Sequence, residues 1–114
     1  MWQIIDLDDS FYPLITSQTL RFNFSALVGG YTLQNDHALI SLTFLNKVNN
    51  KLNKSIFLDL VLADDRQQDT ILLFRSATGF VPNGTYFMEI HVKFIRIDGS
   101  DNDAYVDNIA LNLY

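Results

Sequence analysis

Leu20-Arg21-Phe22-Asn23-Phe24-Ser25-Ala26 alternates apolar and polar residues without a break. A period of two marks a strand with one face on a core and the other in water. The same alternation recurs in Ile40-Ser41-Leu42-Thr43-Phe44 and in Met88-Glu89-Ile90-His91-Val92-Lys93-Phe94. Residues 55–62 and 70–74 are more continuously apolar, as in strands covered on both faces or short buried ones, and residues 2–7 and 105–113 supply a first and a last strand. One helical candidate exists, over 9–16, where Ser10 can cap a turn and Pro13 limits it to one or two turns. Turn chemistry separates the strands at Gly29-Gly30, Asn49-Asn50, Asp64-Asp65, Pro82-Asn83-Gly84 and Asp98-Gly99-Ser100. Seven strands so spaced predict an all-β fold, an antiparallel β-sandwich of the jelly-roll or immunoglobulin-like sort. Its core is expected from Phe22, Phe24, Ile40, Leu42, Phe44, Leu58, Leu60, Leu72, Ile90, Val92, Phe94, Ile109 and Leu111.

With 114 residues, 48% hydrophobic and 18% charged, residues 1–114 read as one domain. A chain of this length buries roughly 65% of its unfolded surface and needs no staple. The absence of cysteine excludes a disulfide scaffold, a thiol nucleophile and a cysteine-bound structural zinc. A net charge of −5 argues against nucleic-acid or anionic-membrane partners, which call for a basic stripe. No apolar run reaches the about 18 to 20 residues of a membrane span, and residues 1–9 lack the basic start of a signal peptide.

Successive antiparallel strands place their connections alternately at the two ends of a sandwich. Loops 29–37, 63–69 and 98–104 therefore share one end. That end gathers Asp36, Asp64, Asp65, Asp69, Asp98, Asp101 and Asp103, seven of the thirteen acidic residues. The opposite end carries Lys47, Lys51, Lys54 and a set of asparagines. A single acidic loop is ordinarily just solvated; three converging ones, on a rigid scaffold, suggest a binding end.

Several stretches together resemble galactose-binding-like jelly-roll domains, the carbohydrate-binding-module type appended to secreted enzymes and adhesins. They are Phe24-Ser25-Ala26-Leu27-Val28-Gly29-Gly30-Tyr31 with Gln34-Asn35-Asp36, Thr43-Phe44-Leu45, Ala63-Asp64-Asp65-Arg66, Phe74-Arg75-Ser76-Ala77-Thr78-Gly79, Val81-Pro82-Asn83-Gly84-Thr85 and Asn102-Asp103-Ala104-Tyr105-Val106-Asp107-Asn108-Ile109. The resemblance covers nearly the whole chain from Trp2 and implies a lectin-like, extracellular or secreted module whose ligand is a glycan. Such modules usually begin with an additional strand that supplies ligands to a structural calcium. Either the chain begins after that strand or this member is built without it.

Asp107 is in phase with Tyr105, Ile109, Leu111 and Leu113, which predicts a carboxylate on the apolar side of the last strand. There it must be paired, neutralised or bound to a cation. The resemblance implies calcium, which takes six to eight oxygens. The alternatives are a salt bridge to Arg66 or Arg75, or a bulge that turns Asp107 outward. Sugar binding asks for an aromatic face and planar groups that grip paired hydroxyls, and the acidic end offers Tyr31 and Tyr105 with Gln34, Asn35, Asp36, Asn102 and Asp103. The competing reading of these residues is turn geometry, a core-edge tyrosine and amides that hold their own loop.

Catalysis has little sequence support. His37 and His91 have no partner in a triad or zinc pattern, and the spacing of two glycosidase carboxylates is not legible in a sequence. The chain is therefore expected not to be an enzyme. Asn23-Phe24-Ser25, Asn53-Lys54-Ser55 and Asn83-Gly84-Thr85 are N-glycosylation sequons, with Asn53 and Asn83 at the end away from the acidic loops. The expectation is a carbohydrate-binding sandwich. Its competitor is a structural or adhesive module that contacts protein through a sheet edge left open by the absent strand.

Overall fold

The computed structural model describes residues 2–7, 9–30, 37–59, 61–62, 65, 71–95 and 105–114, without the side chains of Lys54 and Tyr105. Its strands are β1 (Trp2–Asp6), β2 (Arg21–Gly29), β3 (His37–Leu45), β4 (Lys51–Phe57), β5 (Leu72–Phe80), β6 (Phe87–Ile95) and β7 (Tyr105–Leu113). Between β1 and β2 lie a short 3-10 turn (Asp9–Phe11) and the one-turn helix α1 (Tyr12–Thr16), with Pro13 in its first turn. A proline is tolerated there because its missing N–H would have no partner.

The strands form two antiparallel sheets, ordered β1-β6-β3-β4 and β5-β2-β7. Among the described strands only β3 and β4 are consecutive neighbours within a sheet; the other successive strands lie in different sheets, as in a jelly roll. The period-two residues of β2, β3 and β6 build the core. Phe22, Phe24, Ile40, Leu42, Phe44, Leu58, Ile90 and Val92 are all buried, and Ile109 and Leu111 pack on them while partly exposed. The rings of Phe22 and Phe44 meet across the two sheets with centroids 5.3 Å apart.

Four expectations need correction. The fourth strand is Lys51–Phe57, not 55–62, and the fifth continues six residues past 74, to Phe80. Leu72 is 40% exposed, while Leu73 faces the core. The phase of β5 is set by its small residues: Ala77 packs inward, and a Cβ on Gly79 would lie 3.0 Å from the Phe22 ring. Small inward residues make room for that ring and leave no hydrophobic alternation to read. Phe94, two residues beyond buried Val92, is 48% exposed although its cross-strand partner Ala38 is buried. Leu60 lies outside the described residues.

Candidate functional site

The described chain forms a two-lobed cleft where the free edges of β4 and β5 face each other. One lobe of about 300 Å³ is lined by Gln18, Asn53, Phe80, Val81, Pro82 and Asn83. The other, of about 240 Å³, is lined by Phe22, Phe44, Asn53, Ile56, Thr78, Gly79, Phe80 and Pro82. Asn53, Phe80 and Pro82 belong to both, so the lobes adjoin.

Each of the three amide liners is held by a local backbone device. Gln18 has φ 58° just after α1, the left-handed residue that ends many helices, and its N–H donates to the Ile15 carbonyl at 3.0 Å. Asn53 has φ 56° within an irregular part of β4, where the register advances two residues on β3 (Leu42 to Phe44) but four on β4 (Ile56 to Leu52). Asparagine tolerates that left-handed conformation better than most residues. The turn carrying Asn83 is fixed by Pro82, by Gly84 at φ 89°, and by the buried Thr85 hydroxyl, which donates to the Pro82 carbonyl at 2.7 Å. Donation from the Val81 N–H to the Leu20 carbonyl at 2.9 Å ties the segment to the start of β2.

Phe80 is 56% exposed, and the guanidinium carbon of Arg21 lies over one face of its ring, 4.8 Å from the centroid. The two residues are direct cross-strand partners. A cation on one face steadies the ring and leaves the other face to a ligand. Among the described residues lining the cleft there is no carboxylate, lysine or histidine. Its chemistry is that of amides, a hydroxyl and an aromatic face, which suits an uncharged, hydroxyl-rich ligand. The volume sits at the small end of small-molecule pockets.

Of the residues expected to bind ligand, Tyr31, Gln34, Asn35, Asp36, Asn102 and Asp103 lie outside the described residues, as does the side chain of Tyr105. The strand ends that lead to their loops do converge: Gly29 pairs with Leu72 and with Tyr105, and His37 pairs with Ile95. Asp65 uses one carboxylate oxygen to accept from the Leu62 N–H at 2.9 Å, so it holds its own turn.

Asp107 does not point at the core. Leu27 pairs with Asp107 and Ser25 with Ala110, so two residues of β7 stand opposite Ala26 alone. This bulge, with Asn108 at φ 50°, shifts the strand's phase. Val106 faces the core before it and Ile109, Leu111 and Leu113 after it, while Asp107 and Asn108 are exposed. The Asp107 carboxylate accepts from the Asn108 N–H at 2.8 Å. Arg75, offered as a partner, lies on the inner side of β5, with Nη1 donating to the Phe74 carbonyl at 3.2 Å. The burial argument for a cation therefore falls, and no group of three or more metal-ligating side chains occurs among the described residues. Asp107→Ala should cost about 0.5–1 kcal/mol, the worth of one exposed hydrogen bond, rather than the ~3–5 kcal/mol of a broken buried pair; urea unfolding distinguishes them.

Sequence reasoning missed Gln18, Asn53, Phe80 and Asn83 as a set. The available signals were the asparagines of that end and an aromatic residue directly before Val81-Pro82-Asn83-Gly84.

No family model matches the chain, and no curated protein matches it. Among solved structures, the chain is similar to the enzymatically active domain of tailspike protein 4 from bacteriophage CBA120, with a TM-score of 0.68 and 20% sequence identity. The match covers 99% of this chain but 13% of that one, so the likeness is one of fold to a small part of a longer protein. It also corrects the expectation that the chain is not an enzyme. That expectation rested on missing sequence-level catalytic pairs, whereas the fold occurs within an enzymatically active domain.

Proposed function

We propose that this chain is a jelly-roll module of the galactose-binding-like type that holds a glycan for a larger, enzymatically active protein of the tailspike kind, working outside the cell. The observation that carries the reading is Phe80, exposed, stacked by Arg21 on one face and set beside Gln18, Asn53 and Asn83. An aromatic face meets the apolar side of a pyranose, while primary amides donate and accept at once and so match paired hydroxyls. The tailspike likeness supports a setting in a longer, catalytically active chain. Glycan-array screening followed by calorimetry tests it. Phe80→Ala should weaken binding roughly tenfold and leave Tm within a degree or two, because the ring is more than half exposed. Unchanged binding would remove the cleft from the account.

A second reading, contact with protein, is favoured by the free edge of β7. Tyr114 and Arg21 exchange both backbone hydrogen bonds, at 2.8 and 3.0 Å. Alternation along an antiparallel ladder then directs the N–H and C=O groups of Leu113 and Leu111 away from β2, where the described residues offer no strand. Val106, Ile109, Leu111 and Leu113 are only partly buried, whereas Phe22, Phe24, Ala26 and Val28 of β2 are at most 2% exposed. An added strand would cover that flank. Sedimentation velocity should then show concentration-dependent association that Asn112→Lys, an edge charge on an exposed position, suppresses; a monomer at all concentrations would dismiss self-pairing.

A further inference from the structure

We infer that the outer face of the β5-β2-β7 sheet is a platform for an extended glycan chain, continuous with the cleft at Phe80, so that the ligand is an internal stretch of a polysaccharide rather than a terminal sugar. This rests on the glycan reading of the cleft. Phe74 and Phe80 share that face and are 60% and 56% exposed. They stand six positions apart along β5, ~20 Å at about 3.4 Å per residue. Between them the exposed Ser76 and Thr78 follow β5, and their cross-strand partners on β2 are Ser25 and Asn23. Beyond Asn23 stands Asn112 of β7. The face therefore runs from an aromatic ring through hydroxyls and amides to a second ring.

Charge distinguishes this face from its counterpart. The outer side of β6 presents half-buried Glu89 and His91 and exposed Lys93, so that face is charged. Among the described residues of the β5-β2-β7 face, none that is charged stands between the rows of Phe74 and Phe80; Arg21 and Asp107 lie in those two end rows. In the middle, the Asn23 side-chain oxygen is shielded from water without a hydrogen-bond partner, a state a native protein rarely keeps and one that a ligand hydroxyl could relieve once the amide turns outward. Leu72 and Leu27 flank Phe74, but Ser76, Ser25, Thr78 and Asn23 part that apolar end from Phe80, whereas a large contiguous apolar patch is the usual mark of a protein-contact surface; a polyhydroxylated chain alternates apolar ring faces and hydroxyls along its length.

The test uses the whole chain on an array of bacterial surface polysaccharides and plant and animal glycans, followed by calorimetry with oligomers of increasing length cut from the retained polysaccharide. Affinity should climb until the oligomer spans the two rings. Phe74→Ala should then cost roughly tenfold on the long oligomers and nothing on the monosaccharide, whereas Phe80→Ala weakens both. Both side chains lie outside the core, so unfolding midpoints should stay within a degree or two. Affinity independent of length, or a silent Phe74→Ala, overturns the platform while the cleft stands. Retention of no glycan, or a silent Phe80→Ala, overturns the cleft reading and the platform with it. Binding of proteins but no glycan through this face also overturns it.

Discussion

Phe24→Ala is expected to destabilise the fold by about 3–5 kcal/mol, the cost of deleting a buried ring and leaving a cavity that the surroundings only partly fill. Phe24 is 0% exposed at the centre of β2, with Ala77 of β5 and Leu111 of β7 as its cross-strand partners. Strand β2 alone joins its sheet, so a loss there loosens both ladders at once. Urea unfolding should show a lower midpoint at an unchanged slope, since the same surface is still exposed. A change under 1 kcal/mol would mean that the sheets do not close on this ring.

Gly29→Ala is the second large effect. A Cβ there would run into the Ile71 carbonyl oxygen and lie 2.9 Å from a methyl of Leu72. The first of these is backbone and cannot swing aside, so the start of β5 must move. The expected cost is about 1–3 kcal/mol, although alanine is otherwise a mild change. Hydrogen exchange should locate the loss in the Gly29–Leu72 and Gly29–Tyr105 pairs, which lead into the acidic loops. Uniform protection with an unchanged midpoint would argue against so close an approach.

The architecture was legible because three strands state their phase plainly. Arg21 to Ala26, Ile40 to Phe44 and Met88 to Val92 each put large apolar groups inward at every second position, and these residues are the core. Strand β5 was half legible. Its inward positions 77 and 79 hold alanine and glycine, because the Phe22 ring occupies the space that larger side chains would fill. Asp107 was misread for a similar reason: one extra residue in β7 reverses the phase between Val106 and Ile109, and no residue type announces a bulge in advance.

The cleft was harder still. Gln18, Asn53, Phe80 and Asn83 come from the end of α1, the irregular stretch of β4, the last residue of β5 and the turn after it. Two of the four stand at positive φ. Their meeting depends on how β4 and β5 align at the sandwich edge, and neither strand had its correct limits in the sequence reading. The acidic loops, by contrast, announced themselves by composition alone, which identifies charge density but not a shaped pocket.

The most direct measurement is a two-dimensional amide NMR titration of the labelled chain with the first glycan retained on the array. The account predicts shift changes concentrated at Gln18, Asn53, Thr78, Phe80 and Asn83, extending to Ser76 and Phe74 when the glycan is long enough to span the two rings, with the amides of 31–36 and 98–104 unmoved. Changes concentrated in those two acidic segments, with Asn53 and Phe80 silent, would contradict it and return the binding site to the opposite end of the sandwich.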